Sequence, residues 1–324
     1  MREARSADML GILSITLPVF AVIAVGYIAA RFGPFPQSKM KALGDFTMLV
    51  ALPCALFYAV ASRDFSEVLN VSYLVVLGLG SAATQLVMWL ITRAQGLGPR
   101  RRAISVLGCA TPNSAFLGYP ILVAVLPDHA GPILAMNLLI ENVLLTPIGL
   151  TLLESAKDRD GPRPSLPRMA RDIAISVLRR PLIIGLLLGL VFILIGIELP
   201  PLAGTFLGLM GDAAAPIALF VIGGTLYGLD LKGEMGLAAQ IASVKLLVHP
   251  LLVAAALTGL VLLGLPAMDP DLAKGLILSA TMPMFAIFIL FGQEAGYEGL
   301  TSLSVMVATC CAFVTINIAL LLLI

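Results

Sequence analysis

The sequence predicts an all-α polytopic membrane protein with ten transmembrane helices, and three observations support this fold class. Hydrophobic residues make up 59% of the 324 residues and charged residues only 12%, roughly half of the charged share in soluble domains. The apolar residues form blocks long enough to cross a hydrocarbon core about 30 Å thick. The alternating pattern of an outer-membrane β-strand is absent. Together these features favour a bundle of membrane-spanning helices.

Ten apolar blocks follow one another along the chain, and short polar turns separate most of them. The predicted spans are approximately 9–30, 40–61, 69–92, 103–126, 130–153, 181–198, 202–228, 235–264, 272–293 and 299–323. The first block is longer than the apolar region of a signal peptide, which has about 7–15 residues, so we interpret it as a span. The four cysteines lie inside apolar blocks without metal-ligand spacing, and we expect no metal site.

The distribution of Lys and Arg predicts how the helices are oriented. If the ten spans alternate in direction, fifteen of the twenty basic residues fall on one side and four on the other, with Lys245 inside a span. Basic residues are enriched in the cytoplasmic loops of membrane proteins. We therefore predict a multi-pass protein of the bacterial inner (plasma) membrane with both termini in the periplasm.

The two halves of the chain carry similar patterns in the same order. Residues 53–57 read PCALF and residues 216–220 read PIALF, in the second and seventh spans. We predict a first five-helix repeat over 1–153, a cytoplasmic linker over 154–180 and a second five-helix repeat over 181–324. Because five is an odd number, the second repeat enters the membrane in the inverted orientation. Inverted repeats are a recurring plan of secondary transporters.

Proline residues interrupt the fourth and ninth spans near their midpoints. Each proline removes a backbone donor and clashes with the preceding turn, and unpaired backbone groups are tolerated only where they are buried in protein or line a wet cavity. The free N–H groups of a half-helix favour an anion. The predicted substrate-binding residues of the two breaks are Thr111, Pro112, Asn113, Ser114, Gly118, Thr281 and Pro283. The alternative is a proline kink that serves only packing.

Several polar residues within the spans are candidates for ion coupling or charge relay, because such residues in membrane helices are often functional. Asn137 and Glu141 are four residues apart, so they share one face of the fifth span. Glu141 is a candidate carrier of a coupling proton, and the alternative is a neutral, hydrogen-bonded structural residue. Asp212 in the seventh span is a further candidate for an ion or proton site.

The eighth span carries Lys245 and, one helical turn later, His249. One interpretation is a relay pair or a pair that meets the substrate charge. In the other interpretation, Lys245 extends to the cytoplasmic surface and His249 caps the helix bend at Pro250. Gln85 in the third span occupies the position comparable to Lys245, where it could contact substrate or make a hydrogen bond between helices.

Several motifs together resemble the auxin efflux carrier family along the whole chain. They are Pro112-Asn113-Ser114 with Gly118-Tyr119-Pro120, Leu52-Pro53 with Leu56-Phe57, Lys245 to Pro250, Arg180-Pro181-Leu182 and Leu145-Thr146-Pro147 with Glu154. The bacterial malonate-transporter-like branch is the most similar. The resemblance implies ten helices in two inverted repeats, a crossing of broken helices four and nine, carboxylate transport, an elevator-like movement and a homodimer. Ser114 stands where the family often has Thr, and no Asn accompanies Pro283.

We therefore expect a secondary active transporter of small organic anions, such as mono- or dicarboxylates, that works by alternating access. H+ and Na+ both stay open as coupling ions, and we expect no other cofactor and no nucleic acid partner. An anion channel or uniporter without ion coupling is the alternative. An enzyme is not expected, because no intramembrane protease motif occurs, and the chain has no phosphate-binding loop of an ATP-driven pump.

Overall fold

A computed structural model describes residues 2–62, 69–156, 166–197, 199–229, 234–262 and 268–323. These residues form helices and irregular segments, with one isolated antiparallel bridge. The helices are α1 (Arg2–Phe32), α2 (Gln37–Ala61), α3 (Val71–Ala94), α4 (Pro99–Gly108), α5 (Ser114–Val125), α6 (Ala130–Ser155), α7 (Leu166–Leu178), α8 (Pro181–Leu194), α9 (Pro201–Tyr227), α10 (Met235–Leu262), α11 (Pro270–Thr281), α12 (Phe288–Ala295) and α13 (Glu298–Leu323).

Seven helices in this part of the chain are long and apolar enough to cross a membrane: α1, α2, α3, α6, α9, α10 and α13. The protein is therefore a polytopic helical membrane protein. The other three predicted spans are shorter in the structure. The fourth is divided into α4 and α5 and the ninth into α11 and α12, because proline interrupts both, while the sixth is α8, which ends at Leu194.

The predicted linker is partly helical. Helix α6 ends at Ser155, and α7 occupies Leu166–Leu178, a segment for which the sequence predicted no helix. Residues 157–165 of the linker lie outside the described residues. Helix α7 is amphipathic, and its Arg168 and Arg171 are exposed. Such a helix is typical of a segment that lies along a surface rather than across a membrane.

Among the described helices, four contain a π-helical turn that ends two residues before a proline. The turns are Thr47–Ala51, Ser114–Gly118, Glu141–Leu145 and Val244–Val248, and the prolines are Pro53, Pro120, Pro147 and Pro250. A proline ring clashes with the carbonyl four residues earlier, and each of those carbonyls lies within the π-helical turn. The wider turn moves that carbonyl aside, so the helix continues through the proline. Such turns are frequent at functional sites.

Close helix pairs hold the bundle together. Helix α1 packs along α9, α2 along α8 and α3 along α10. At Gly223 of α9, an added Cβ would lie only 1.8 Å from the carbonyl oxygen of Ile23, so only glycine permits this approach. Large side chains on the outer faces, such as Leu17, Leu86 and Leu209, are exposed, as expected for a surface that faces lipid.

Candidate functional site

The two helix breaks meet and form a crossing in the interior. The backbone N–H of Asn113 donates to the carbonyl of Pro283 at 2.8 Å, and the N–H of Phe285 donates to the carbonyl of Thr111 at 3.3 Å. Pro112 and Met284 form the antiparallel bridge between these two bonds. The backbone of each break therefore donates a hydrogen bond to a carbonyl of the other. This pairing explains why irregular backbone is tolerated within an apolar bundle.

Helix α5 begins at this crossing. The side-chain Oδ1 of Asn113 accepts a bond from the backbone N–H of Phe116 at 3.3 Å, so Asn113 caps the helix as Asn commonly does. The backbone N–H of Gly118 donates to the carbonyl of Asn113 at 2.9 Å. Ser114 Oγ donates to Oε1 of Glu141 on α6. The start of α5 is thereby tied to the π-helical turn of α6.

A cavity of about 260 Å³ lies against the start of α5. Its walls come from both breaks, from α2, from α6 and from the start of α8. The polar lining residues are Asn113, Ser114, Glu141, Asn142, Thr146 and Arg180, and the apolar walls include Phe116, Leu138, Ile183 and Phe285. An apolar pocket with a few convergent polar groups is typical of a small-molecule site. Of the predicted substrate-binding residues, Pro112, Asn113 and Ser114 line this cavity together with Glu141.

Arg180 is a lining residue to which the sequence analysis gave no role in a site, although the motif Arg180-Pro181-Leu182 is part of the family resemblance. It directly precedes α8, is half-buried, and donates from Nη1 to Oδ1 of Asn142. Asn142 follows Glu141 in the π-helical turn of α6. The cavity thus brings a cation, a carboxyl group and amide groups together. The signal in the sequence was the Arg-Pro pair at the start of an apolar block.

Lys245 and His249 lie behind the crossing, away from the cavity lining. Lys245 is fully buried, and its Nζ lies 2.8 Å from the carbonyl of Ala280 and 2.9 Å from Nδ1 of His249. His249 Nε2 lies 2.8 Å from Oγ of Ser81. Lys245 therefore does not extend to the surface. Its amino group contacts the carbonyl of Ala280 at the C-terminal end of α11, where the helix dipole favours a cation.

A second buried network joins α3, α6 and α11. The hydroxyl of Tyr73 donates to Oδ1 of Asn137 at 2.7 Å, and Nδ2 of Asn137 donates to Oγ of Ser279 at 2.9 Å. Nε2 of Gln85 donates to the carbonyl of Leu145 at 3.1 Å. Asn137 and Gln85 thus support the helices around the crossing and do not line the cavity.

The remaining predicted site residues lie in two places. Thr111, Thr281, Pro283 and Gly118 are buried within the crossing or beside it but do not line the cavity. The hydroxyl of Thr111 donates to the carbonyl of Leu107 in the preceding helix α4, and the hydroxyl of Thr281 donates to the carbonyl of Leu278 in its own helix α11. Asp212 is exposed at a separate groove near Tyr58 and Ser62, so the structure does not bring it together with Glu141.

Comparison with known proteins is consistent with this geometry. The model of the membrane transport protein family matches residues 12–320. A protein of Rhizobium meliloti (strain 1021) named "Putative malonate transporter" is 27% identical over 315 residues, which cover 95% of each chain. The "Uncharacterized transporter YfdV" of Escherichia coli (strain K12) is 25% identical over 72% of this chain and 74% of its own. The "Lysosomal cholesterol signaling protein" of Mus musculus is 26% identical over 73% of this chain but only 28% of its own.

The family match covers nearly the whole chain and includes both helix breaks and the cavity that they line. The resemblance to the auxin efflux carrier family that the motifs indicated is therefore confirmed. The chain belongs to the membrane transport protein family.

Proposed function

We propose that this protein is a secondary carrier of small organic anions, such as mono- or dicarboxylates, and that the cavity beside the crossing is its substrate site. The observation that carries the proposal is the junction of two helix breaks with one largely apolar cavity that a few polar groups line. A helix begins beside this cavity, and its first N–H groups favour a negatively charged ligand. The side-chain amide nitrogen of Asn113 offers a donor at the same place, because the helix cap uses only its oxygen. Malonate is a suitable first substrate because one relative over the full chain length is named for it.

We propose ten spans in two inverted repeats as the framework of this carrier. The packing of α1 on α9 joins the first and seventh spans, and that of α2 on α8 joins the second and sixth. The first span corresponds to the sixth and the second to the seventh. When the repeats are exchanged, the pair of spans one and seven therefore becomes the pair of spans six and two. The third and eighth spans, α3 and α10, pack on each other, as the same exchange requires. The contact pattern therefore supports a two-fold repeat independently of the short sequence matches, and the inversion follows from the odd number of spans in each repeat.

Contacts between loops support the grouping of the loops on the two sides of the membrane. Arg101 pairs with Glu234, and Gln37 donates to the carbonyl of Gly224 at 2.9 Å. All four residues lie in or beside loops assigned to the cytoplasm. His129 lies 3.8 Å from Asp269, and both of these belong to loops assigned to the periplasm. We propose an inner-membrane protein with both termini in the periplasm.

Glu141 is the proposed carrier of a coupling proton. Its carboxyl group is largely buried, lines the cavity, and accepts a hydrogen bond from Ser114 at the start of α5. A change in its charge therefore acts on the residue next to Asn113, where the substrate would bind. An uncharged Glu141 also removes repulsion between this carboxylate and an incoming anion. The alternative is an uncoupled uniporter or channel that uses the same cavity.

Uptake of labelled malonate into proteoliposomes tests this proposal. Sodium is held constant, and uptake is compared with and without an imposed proton gradient. We expect uptake that exceeds that of protein-free liposomes and rises with the gradient. Equal uptake with and without the gradient would contradict proton coupling and favour the uniporter or channel. Absence of uptake for malonate and for a panel of other small carboxylates would contradict the substrate class.

A further inference from the structure

Arg180 is held in a fixed position at the junction between α7 and α8. Its backbone N–H donates to the carbonyl of Val177 at 3.0 Å, and its carbonyl accepts from the N–H of Ile184 at 3.0 Å. Pro181 follows it at the first position of α8, where the ring restricts the backbone further. The guanidinium therefore extends from a backbone that is anchored on both sides.

The partner of Arg180 is an amide, not a carboxylate. Nη1 donates to Oδ1 of Asn142, and among the described residues no ion pair with Arg180 is formed. A guanidinium has five N–H donors, so one bond to Asn142 leaves donors for an anion. This bond orients the charged group without neutralising its charge.

Arg180 is also the only Lys, Arg or His among the described residues that line the cavity. Glu141 is the one acidic residue among the described lining residues, and it directly precedes Asn142, to which Arg180 is bonded. Asn142 binds Arg180, and its neighbour Glu141 binds Ser114. The two adjacent residues thus place the guanidinium and the start of α5 at the same cavity. A short molecule with an anionic group at each end would find a partner at each of these positions.

We propose that Arg180 selects substrates with two carboxylates. One carboxylate lies at the crossing, as the proposed function already requires, and the second is bound by the guanidinium of Arg180. A planar guanidinium matches a carboxylate through two parallel hydrogen bonds. Asn142 is a positioning residue that holds the guanidinium toward the cavity. When the substrate is absent, the nearby Glu141 offsets part of the positive charge.

The test compares malonate with malonamate, in which an amide replaces one carboxylate at nearly the same size. Binding of both compounds to the purified protein is measured by isothermal titration calorimetry at neutral pH. We expect the wild-type protein to bind malonate at least tenfold more tightly than malonamate. Arg180→Gln should weaken malonate binding roughly tenfold to a hundredfold and remove the preference, since charge-assisted hydrogen bonds are lost.

Two further variants distinguish charge selection from a structural effect. Arg180→Lys keeps the charge but not the planar fork, so a reduced preference for malonate should persist. Arg179→Gln changes the neighbouring arginine, which is exposed and does not line the cavity, and it should bind both compounds as the wild type does. Arg180→Gln should match Arg179→Gln in size-exclusion elution and thermal unfolding.

The outcomes separate this inference from the proposed function on which it rests. Equal binding of malonate and malonamate by the wild type, or an unchanged preference in Arg180→Gln, would overturn the role of Arg180 and leave the carboxylate carrier intact. If Arg180→Gln does not fold, a Lys variant without any preference for malonate would overturn the role as well. Failure of the wild type to bind any small carboxylate would contradict the proposed function and this assignment together.

Discussion

At the scale of single residues, Asn113 connects the crossing to the cavity. Its backbone N–H binds Pro283 of the other break, its side-chain oxygen caps α5, and its side chain lines the cavity. The bond to Phe116 uses the amide oxygen, so the amide nitrogen is a donor suited to a carboxylate. Asn113 therefore combines a structural bond with a proposed contact to substrate.

We predict that Asn113→Ala abolishes substrate binding. The backbone bond to Pro283 does not involve the side chain, so the crossing should stay intact, although loss of the cap costs about 1 kcal/mol. Malonate binding is measured on purified protein, together with elution from size exclusion. Asn317→Ala is the matched control, because Asn317 bonds to Thr16 far from the cavity. Normal malonate binding by Asn113→Ala would remove Asn113 from the substrate site.

For Glu141, we predict that Glu141→Gln removes the stimulation of uptake by a proton gradient. Gln can still accept a hydrogen bond from Ser114, but it cannot exchange a proton in this pH range. The ratio of uptake with and without the gradient should therefore fall to about one, as the side chain no longer titrates. Glu294→Gln alters an exposed acidic residue and should keep the wild-type ratio. A wild-type ratio in Glu141→Gln would show that another group carries the proton.

The residues of the cavity were only partly predictable from the sequence. Pro112, Asn113 and Ser114 were evident, because proline and asparagine in the middle of an apolar block require a local explanation. Arg180 was not evident as a cavity residue. Hydropathy and loop charge assign an arginine that stands next to a span to the adjoining loop. The approach of Arg180 to Asn142 depends on how α7, the helix before Arg180, packs against α6, which no local pattern records. The sequence also left the position of Lys245 open between the surface and the interior, and burial at the end of α11 decides it.

At the scale of elements, six of the seven long helices in the described part of the chain begin and end within three residues of the predicted bounds, while α1 begins seven residues earlier than predicted. The seventh span, expected at 202–228, is α9 (Pro201–Tyr227), and the eighth, expected at 235–264, is α10 (Met235–Leu262). Continuous hydrophobicity and flanking charges determine such boundaries directly. The four π-helical turns were not predicted, because a proline in a sequence indicates a disturbed turn but not how the helix accommodates it.

The contact between α1 and α9 leads to a prediction about stability. Gly223→Ala places a methyl group 1.8 Å from the backbone oxygen of Ile23, and backbone atoms cannot move aside as a flexible side chain can. Overpacking of this kind costs about 1–3 kcal/mol, so the variant should unfold at a lower temperature in detergent. Gly208 lies on the same helix with nothing within 4 Å of an added Cβ. Gly208→Ala should unfold at or slightly above the wild-type temperature, and equal destabilisation of both variants would refute the close approach.

At the scale of the whole molecule, the fold brings the breaks of two distant segments to one place. The residues that cross, 111–113 and 283–285, are about 170 positions apart in the chain. The weak internal repeat suggested that both breaks lie at equivalent depth, but their hydrogen bonds to each other could not be read from the sequence. The predicted division at 1–153, 154–180 and 181–324 stays a prediction, as do the dimer and the elevator-like movement.

The most direct test of the carrier mechanism is exchange across the membrane. Proteoliposomes are loaded with unlabelled malonate or with an inert salt, and the initial uptake of labelled malonate is compared at equal pH and sodium on both sides. Alternating access predicts faster uptake into the malonate-loaded vesicles, because the loaded carrier returns with substrate bound. Equal initial rates in both sets of vesicles, together with a rate that does not saturate as malonate rises, would contradict alternating access and indicate a channel.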